Sequence, residues 1–274
     1  NRRKRGEEIE KDDIILRRGQ LLRPQELGLA ASVGRDRLRV YRRLRAAVFS
    51  TGDEVCDPSG DSIEGGIYDA NRFAIMGLLD SLGCIVTDLG ILPDDQNQIA
   101  TALQGAVPVH DIILTSGGVS AGEEDHVKAA VEQNGTLDFW RLAIKPGRPI
   151  ALGQVKGTAF VGLPGNPVAA MVTFMVIARA MILLLGGATN VSAPRFPVVA
   201  DFDYKKKSGR REWVRASIAR NLAGQVVASK FRSSGAGILT SMVAADGLVE
   251  LPEDIEVVRA GEIVDFLSFN EVSR

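Results

Sequence analysis

Cysteine is nearly absent: Cys56 and Cys84 are the only two in 274 residues, and neither sits in a CxxC pair or beside a histidine. That excludes a disulfide framework and a structural zinc site, and it fits a reducing, cytosolic setting. Histidine is equally scarce, and His110 and His126 are too far apart in sequence to suggest a metal pair. With no Ser/His/Asp or Cys/His arrangement, nucleophilic hydrolase chemistry has no support. Charge of one sign is missing too. Lys+Arg (33) nearly cancels Asp+Glu (34), so no global field argues for nucleic acid or a membrane surface. The basic start Asn1–Arg5 runs into Glu7, Glu8 and Glu10 rather than an apolar stretch, which is no signal peptide. Only Val168–Leu185 is apolar enough to invite a membrane span. Arg179 interrupts it and a Pro-Gly-Asn-Pro turn precedes it, so it reads as a buried helix covering a sheet.

What is present is the balance of a globular protein, 45 % apolar and 24 % charged, with length for more than one domain and fewer than three large ones. Residues 1–43 read as a connector or dimerisation segment. Within it Pro24 opens a helix that Gly34 closes, and Arg35–Arg45 alternates basic with apolar residues, as a half-exposed strand does. From 44 to 188 strands and helices alternate. Ala46–Phe49, Cys84–Leu89, Asp111–Thr115 and Thr158–Val161 are strand-like, with helices from Ala70 (capped by Asp69, stopped at Gly83), after Pro93-Asp94-Asp95, to about Gln133, and after Pro167. The stretch before Thr158 is less regular. This predicts an α/β, doubly wound, mostly parallel sheet covered on both faces. From 189 to 274 the period becomes two, over Phe196–Tyr204, Glu212–Arg220, Gln225–Phe231, Gly247–Leu251 and Glu262–Leu267. Turns at Ser208-Gly209, Ala223-Gly224 and Ala260-Gly261 divide the run, which predicts a small C-terminal β-barrel or sandwich.

Ligands of an open parallel sheet bind beyond the carboxyl ends of its strands. Thr51-Gly52-Asp53-Glu54, Pro93–Asp95, Ser116–Asp125 and Gly162–Pro167 all fall there. Ser116-Gly117-Gly118 is either a nest of N–H groups for an anion or a tight turn with no ligand; no GKS follows, so it is no Walker loop. In Gly162-Leu-Pro-Gly-Asn-Pro167, Asn166 suits a helix cap and Pro167 a first turn, making either a stiff ligand wall or a plain helix start. Glu54, Asp94 and Asp125 suit Mg²⁺, which takes one or two carboxylates plus substrate phosphates; the alternative for Asp94 or Asp95 is a helix cap. Arg141, Lys145 and Arg148 lie in one cationic run, and Lys145 and Arg148 flank a Pro-Gly turn that would present both to an oxyanion, unless they are simply exposed.

Phe49-Ser-Thr-Gly-Asp-Glu54, Ile67-Tyr-Asp-Ala-Asn71, Leu89-Gly90 with Asp94-Asp95, Thr115-Ser-Gly-Gly-Val-Ser120, Lys145-Pro-Gly-Arg-Pro149 and Gly162–Pro167 occur in this order. Their order and spacing resemble MoeA-type molybdopterin molybdenumtransferases, the family that includes the E domain of gephyrin, over essentially the whole chain. The resemblance implies a MogA-like domain that binds adenylylated molybdopterin, requires Mg²⁺ and molybdate, releases AMP and places molybdenum on the dithiolene. By motif matching, Glu54, Asp94 and Asp125 would be the catalytic, metal-holding carboxylates. Thr51, Gly52, Asp53, Ser116, Gly117, Gly118, Ser120, Pro164, Gly165, Asn166 and Pro167 would bind substrate, and Lys145 and Arg148 would face molybdate or phosphate. It further implies a cytoplasmic homodimer, with a molybdopterin adenylyltransferase as a candidate partner. Three departures stand out. Ala169 and Ala236 replace serines usual in the family, and family members carry a long N-terminal portion, including an inserted domain, before the segment matching Asn1. The alternatives are a molybdopterin adenylyltransferase, which shares the α/β domain but not the β-rich tail, and a gephyrin-like interaction scaffold.

Overall fold

The strand Arg45–Thr51 is apolar on both faces, with Ala46, Ala47, Val48 and Phe49 fully buried. Such a strand belongs in the middle of a covered sheet. In the computed structural model, which describes residues 4, 6–60, 64–118 and 126–273, it lies between two parallel neighbours, Ile85–Leu92 and Ile112–Ser116. Thr158–Leu163 continues the parallel set, and Pro149–Val155 and Gly135–Arg141 extend it antiparallel to six strands. The expected parallel sheet is therefore present, and the stretch expected to be irregular is an antiparallel pair. Its glycines explain why it was hard to see. A Cβ on Gly135 would stand 1.8 Å from the Gln154 carbonyl oxygen, and one on Gly153 would stand 2.1 Å from that of Thr136. Close backbone packing demands glycine there, and glycine masks strand propensity.

Helices cover both faces. Ala70–Ser81 and the long apolar helix Pro167–Leu185 pack on one, through Ile75, Leu79, Val168, Val172 and Phe174. Gln96–Ala106 and His126–Glu132 pack on the other, through Ile99, Leu103, Val127 and Val131. Pro167–Leu185 is long and apolar enough to cross a membrane, yet here it lies against the sheet as the sequence predicts. Asp69 accepts from the Arg72 amide at 3.1 Å, and Gly83 takes φ +80° beyond the helix end, so both boundary signals of Ala70–Ser81 behave as expected.

The C-terminal strands close into a ring. Arg211–Arg220 pairs with Val226–Lys230 and with Gly247–Leu251; Phe196–Ala200 and Ile263–Ser268 complete the circuit. Val198, Val214, Ala216, Val249 and Phe266 fill its interior. The predicted strand Phe196–Tyr204 splits, because Tyr204–Lys205 pairs separately with Val257–Val258. A short strand of the α/β region, Ile144–Lys145, adds to this sheet beside Arg211 and Glu212.

The N-terminal helix forms at Pro24–Ser32, with Gly34 at φ +77° after it. The half-exposed strand expected over Arg35–Arg45 does not form; residues 35–44 join no ladder, and only Arg45 enters one. The basic residues act as side-chain anchors instead. Arg42 grips Asp111 with both terminal nitrogens at 2.6 and 2.5 Å, and Arg43 donates to the carbonyls of Gly83 and Cys84 at 2.5 and 2.8 Å.

Candidate functional site

Thr51 pairs with Leu92 on one side, and its neighbour Ser50 pairs with Ser116 on the other. The turns that follow these strands therefore leave the same edge of the sheet from adjacent positions, roughly 5 Å apart strand to strand. In the first, Gly52 takes φ +140°, and a Cβ there would stand 2.9 Å from Glu54 Oε2. The Glu54 carboxylate is thus folded back over its own turn, and Asp53 and Glu54 are exposed. In the second, Asp95 is the helix cap, accepting from the Gln98 amide at 2.9 Å, which leaves Asp94 exposed and uncommitted. Of the two aspartates, Asp95 is thus the cap.

The third turn places Gly117 and Gly118 at φ +88° and +63°. A Cβ on Gly118 would stand 2.7 Å from Thr51 Cγ2 and 2.6 Å from Val127 Cγ2, so the pair is glycine for both conformation and space. Ser116 Oγ donates to the Pro164 carbonyl at 3.2 Å, and Gly117 N reaches the Leu163 carbonyl at 3.3 Å. The Ser-Gly-Gly turn and the Leu-Pro-Gly-Asn-Pro turn are therefore neighbours. Ser120 and Asp125 lie outside the described residues.

Asn166 does not cap its helix with its side chain. The Ala236 carbonyl, from the C-terminal barrel region, accepts from the Val168 amide at 3.0 Å instead. The position that departs from the family's serine thus contributes a backbone oxygen at the boundary between the sheet and the barrel. Lys145 and Arg148 also part company. Arg148 is exposed, while Lys145 turns to the barrel, 3.4 Å from Glu212 Oε2 and 3.3 Å from the Tyr204 hydroxyl. Gly147 holds the intervening turn against the long helix, since a Cβ there would overlap Thr173 Oγ1 at 2.0 Å.

Lys145 and Pro146 form one wall of a cleft of about 140 Å³. The barrel supplies the rest: Tyr204, Glu212, Arg215, Lys230, Arg232, Ser233 and Ser234. That volume holds a small anion with a few waters, each of which takes about 30 Å³ in the liquid. Four cations meet one carboxylate, and the carboxylate is already engaged. Glu212 accepts from Tyr204 at 2.8 Å and from Arg210 Nε at 3.0 Å. Burial alone would raise the Glu212 pKa, but these donors and the nearby cations hold it below the ordinary value. Burial and the bond to Glu212 push the Tyr204 phenol upward, so it remains a neutral donor. Arg215 is buried and is held by Ser241 Oγ at 3.1 Å and the carbonyls of Ser233 and Gly235 at 3.0 and 3.1 Å. Those partners are neutral, and burial depresses its pKa; no carboxylate among the described residues pairs with it. Its charge is therefore not neutralised by a carboxylate among the described residues, and it lines the cleft.

Arg215, Lys230 and Arg232 were not foreseen. The available signal was a basic residue in the middle of Arg211–Arg220 and two more at and just after the end of Val226–Lys230, but its use depends on the ring closing so that they line one cleft with Lys145. Of the three carboxylates expected to hold a metal, Glu54 and Asp94 are described and Asp125 lies outside the described residues. Among the described residues no three His, Cys, Asp or Glu side chains gather closely enough to hold an ion. Glu54 and Asp94 remain as two hard oxygen donors on adjacent turns, which fits Mg²⁺ only in the form that completes its shell with water and substrate phosphate.

Residues 47–183 match the family described as "Probable molybdopterin binding domain", and residues 197–269 match "MoeA C-terminal region (domain IV)". A molybdopterin molybdenumtransferase of Haemophilus influenzae is 38 % identical over 273 residues, covering 99 % of this chain and 68 % of that protein. Molybdopterin molybdenumtransferase 2 of Mycobacterium tuberculosis is 34 % identical over 265 residues, covering 94 % and 65 %. The crystal structure of the molybdopterin biosynthesis MoeA protein from Pyrococcus horikoshii superposes with a TM-score of 0.78 at 28 % identity, covering 96 % of this chain and 63 % of that one. The chain thus spans about two thirds of the length of these relatives.

Proposed function

Because the chain belongs to the MoeA-type molybdopterin molybdenumtransferases, enzymes of molybdenum-cofactor biosynthesis, we propose that it joins molybdenum from molybdate to adenylylated molybdopterin and releases AMP. The cationic cleft carries this reading. It has the size and charge for a tetrahedral dianion, and the Ala236 carbonyl on the Val168 amide ties the barrel segment that follows its Ser233-Ser234 wall to the helix opened by the Pro164–Pro167 turn. Adenylylated molybdopterin would lie along the turns at the sheet's edge, its phosphates over the Gly117-Gly118 turn and against the Pro164–Pro167 wall. Molybdate would sit in the cleft on Arg215, Lys145 and the Ser233 region. Glu54 and Asp94, with Asp125, would hold Mg²⁺, which when bound supplies positive charge for the phosphoanhydride. The chain's own cations, already in place, neutralise the charge that grows on the departing AMP. Glu212 and Tyr204 keep the Lys145 ammonium in place at the cleft wall.

By the family resemblance, a homodimer in a reducing cytosol, supplied by a molybdopterin adenylyltransferase, completes the proposal. Light scattering tests the dimer. The reaction is tested by mixing the protein with adenylylated molybdopterin, Mg²⁺ and molybdate. AMP release that requires molybdate supports it. ATP consumption with molybdopterin would identify an adenylyltransferase instead, and neither reaction would leave an interaction scaffold.

A further inference from the structure

Asn71 has no part in the site as described, yet its side chain reaches two of the site's turns. Its Nδ2 donates to Ser116 Oγ and to the Gly165 carbonyl, both at 2.7 Å. A carbonyl only accepts, so the atom facing Gly165 must be the nitrogen, and the amide's orientation is fixed. Ser116 commits its single proton to Pro164, which leaves its oxygen free to accept from Asn71. Three hydrogen bonds thereby join the Ala70–Ser81 helix, the Ser-Gly-Gly turn and the Pro164-Gly165 turn.

The strands before the two turns pair as far as Ser116 and Leu163, and beyond that point the turns have few ties to each other. Gly117 and Gly118 have the least intrinsic conformational preference of any residue, and the direct backbone link between the two turns is the long one, 3.3 Å from Gly117 N to the Leu163 carbonyl. Asn71 Oδ1 is meanwhile buried without a partner, as are Ser50 Oγ and Thr51 Oγ1 on the neighbouring strand end. Buried acceptors and hydroxyls are rarely left unpaired. Ser50 lies on the strand face shared with Ala46 and Val48 that the Ala70–Ser81 helix covers, so Asn71 Oδ1 and Ser50 Oγ are two polar atoms on that face without a partner among the described residues.

We propose that Asn71 is a positioning residue for the pterin substrate: its amide nitrogen clamps the Ser-Gly-Gly turn to the Pro-Gly turn in the spacing that receives the substrate, and its oxygen is left for a donor on the bound ligand. This rests on the reading that adenylylated molybdopterin lies along these turns. It assigns no role in the barrel cleft, so the two ligands should respond differently to its loss.

The test uses the full chain with Asn71→Ala and Asn71→Asp. Binding of adenylylated molybdopterin is followed by pterin fluorescence, binding of molybdate by calorimetry, and amide exchange by mass spectrometry over 116–118 and 163–165. Both variants are expected to weaken adenylylated molybdopterin by about tenfold or more, the loss of one or two neutral hydrogen bonds with their preorganisation. Molybdate affinity should stay within about twofold, and exchange in both turns should accelerate. Asn71→Asp keeps the acceptor and loses both donors, so wild-type binding by that variant would show that the clamp is irrelevant. Unchanged exchange in Asn71→Ala would overturn the clamp whatever the ligands do. If the alanine variant fails to fold, Asn71→Ser, whose shorter side chain cannot span both turns, must show faster exchange than wild type in both turns or the proposal fails. A wild-type chain that ignores adenylylated molybdopterin would remove the functional reading and the proposal's ligand together, while leaving exchange to judge the clamp.

Discussion

Arg215 sets the electrostatics of the cleft because it is buried among neutral oxygens rather than against a carboxylate. An anion is therefore its natural counter-charge. Arg215→Gln should weaken molybdate at least ~30-fold, about 2 kcal/mol, in line with removing one partner of a desolvated charged contact. Arg215→Lys should recover part of this, since the charge remains but the planar fork is lost; calorimetric titration with molybdate or tungstate measures both, and equal affinities would place the anion elsewhere. The adjacent aspartates separate stability from chemistry. Asp95→Ala removes a cap and should cost about 1 kcal/mol in denaturant melts while AMP release persists. Asp94→Asn touches no hydrogen bond of the fold and should leave the melt unchanged while abolishing AMP release. A reversal of that pattern would exchange their roles.

At the scale of elements, two arginine knots fix the edges of the sheet. Arg72 is buried and bonds Asp69 at 2.9 Å and Asp57 at 2.5 Å, with Asp88 as a third partner. Arg72→Met would strand the buried Asp69 carboxylate and should destabilise by roughly 3–5 kcal/mol. Asp111 receives Arg42 and the Arg45 amide, so its pKa is held far below the ordinary value, chiefly by the Arg42 bonds. A depressed folded pKa means that the stabilisation is present above the unfolded value near ~4 and fades as pH falls below it. Asp111→Asn should therefore be less stable than wild type at pH 7, with the gap closing below about pH 4; a constant gap would show that charge plays no part. These knots also mark what was legible beforehand. Asp69, Gly34, Gly83 and the barrel turns announced themselves because caps and left-handed glycines act locally. Arg35–Arg45 misled because its alternation serves anchors 40 to 70 residues away, a spacing that no local period encodes. The four sheet-edge turns were legible since apolar strands end where polar glycine-rich runs begin. The cleft was not, because it depends on Ile144–Lys145 joining a ring that closes between Arg211–Arg220 and Val226–Lys230.

The whole molecule packs as one unit despite its two six-stranded sheets. A single apolar cluster runs from Val168, Phe174 and Ile182 on the long helix, through Ile144 and Ile150, to Trp213, Met242, Leu248 and Leu267 of the C-terminal region. The Ala236 carbonyl on the Val168 amide and the Lys145 bridge to Glu212 cross the same boundary. Separating the two regions would expose that cluster and divide the cleft, so neither sheet should melt alone. Thermal unfolding followed by tryptophan fluorescence and by far-ultraviolet circular dichroism is expected to give coincident midpoints. Molybdate at about a hundred times its dissociation constant should raise that shared midpoint by roughly 5–10 °C, since such occupancy adds about 2.7 kcal/mol to the folded state. Because the anion is held by residues of both regions, the two probes must shift together. Two resolved transitions, with molybdate moving only one, would mean that the cleft belongs to the barrel and that Lys145 contributes nothing to it.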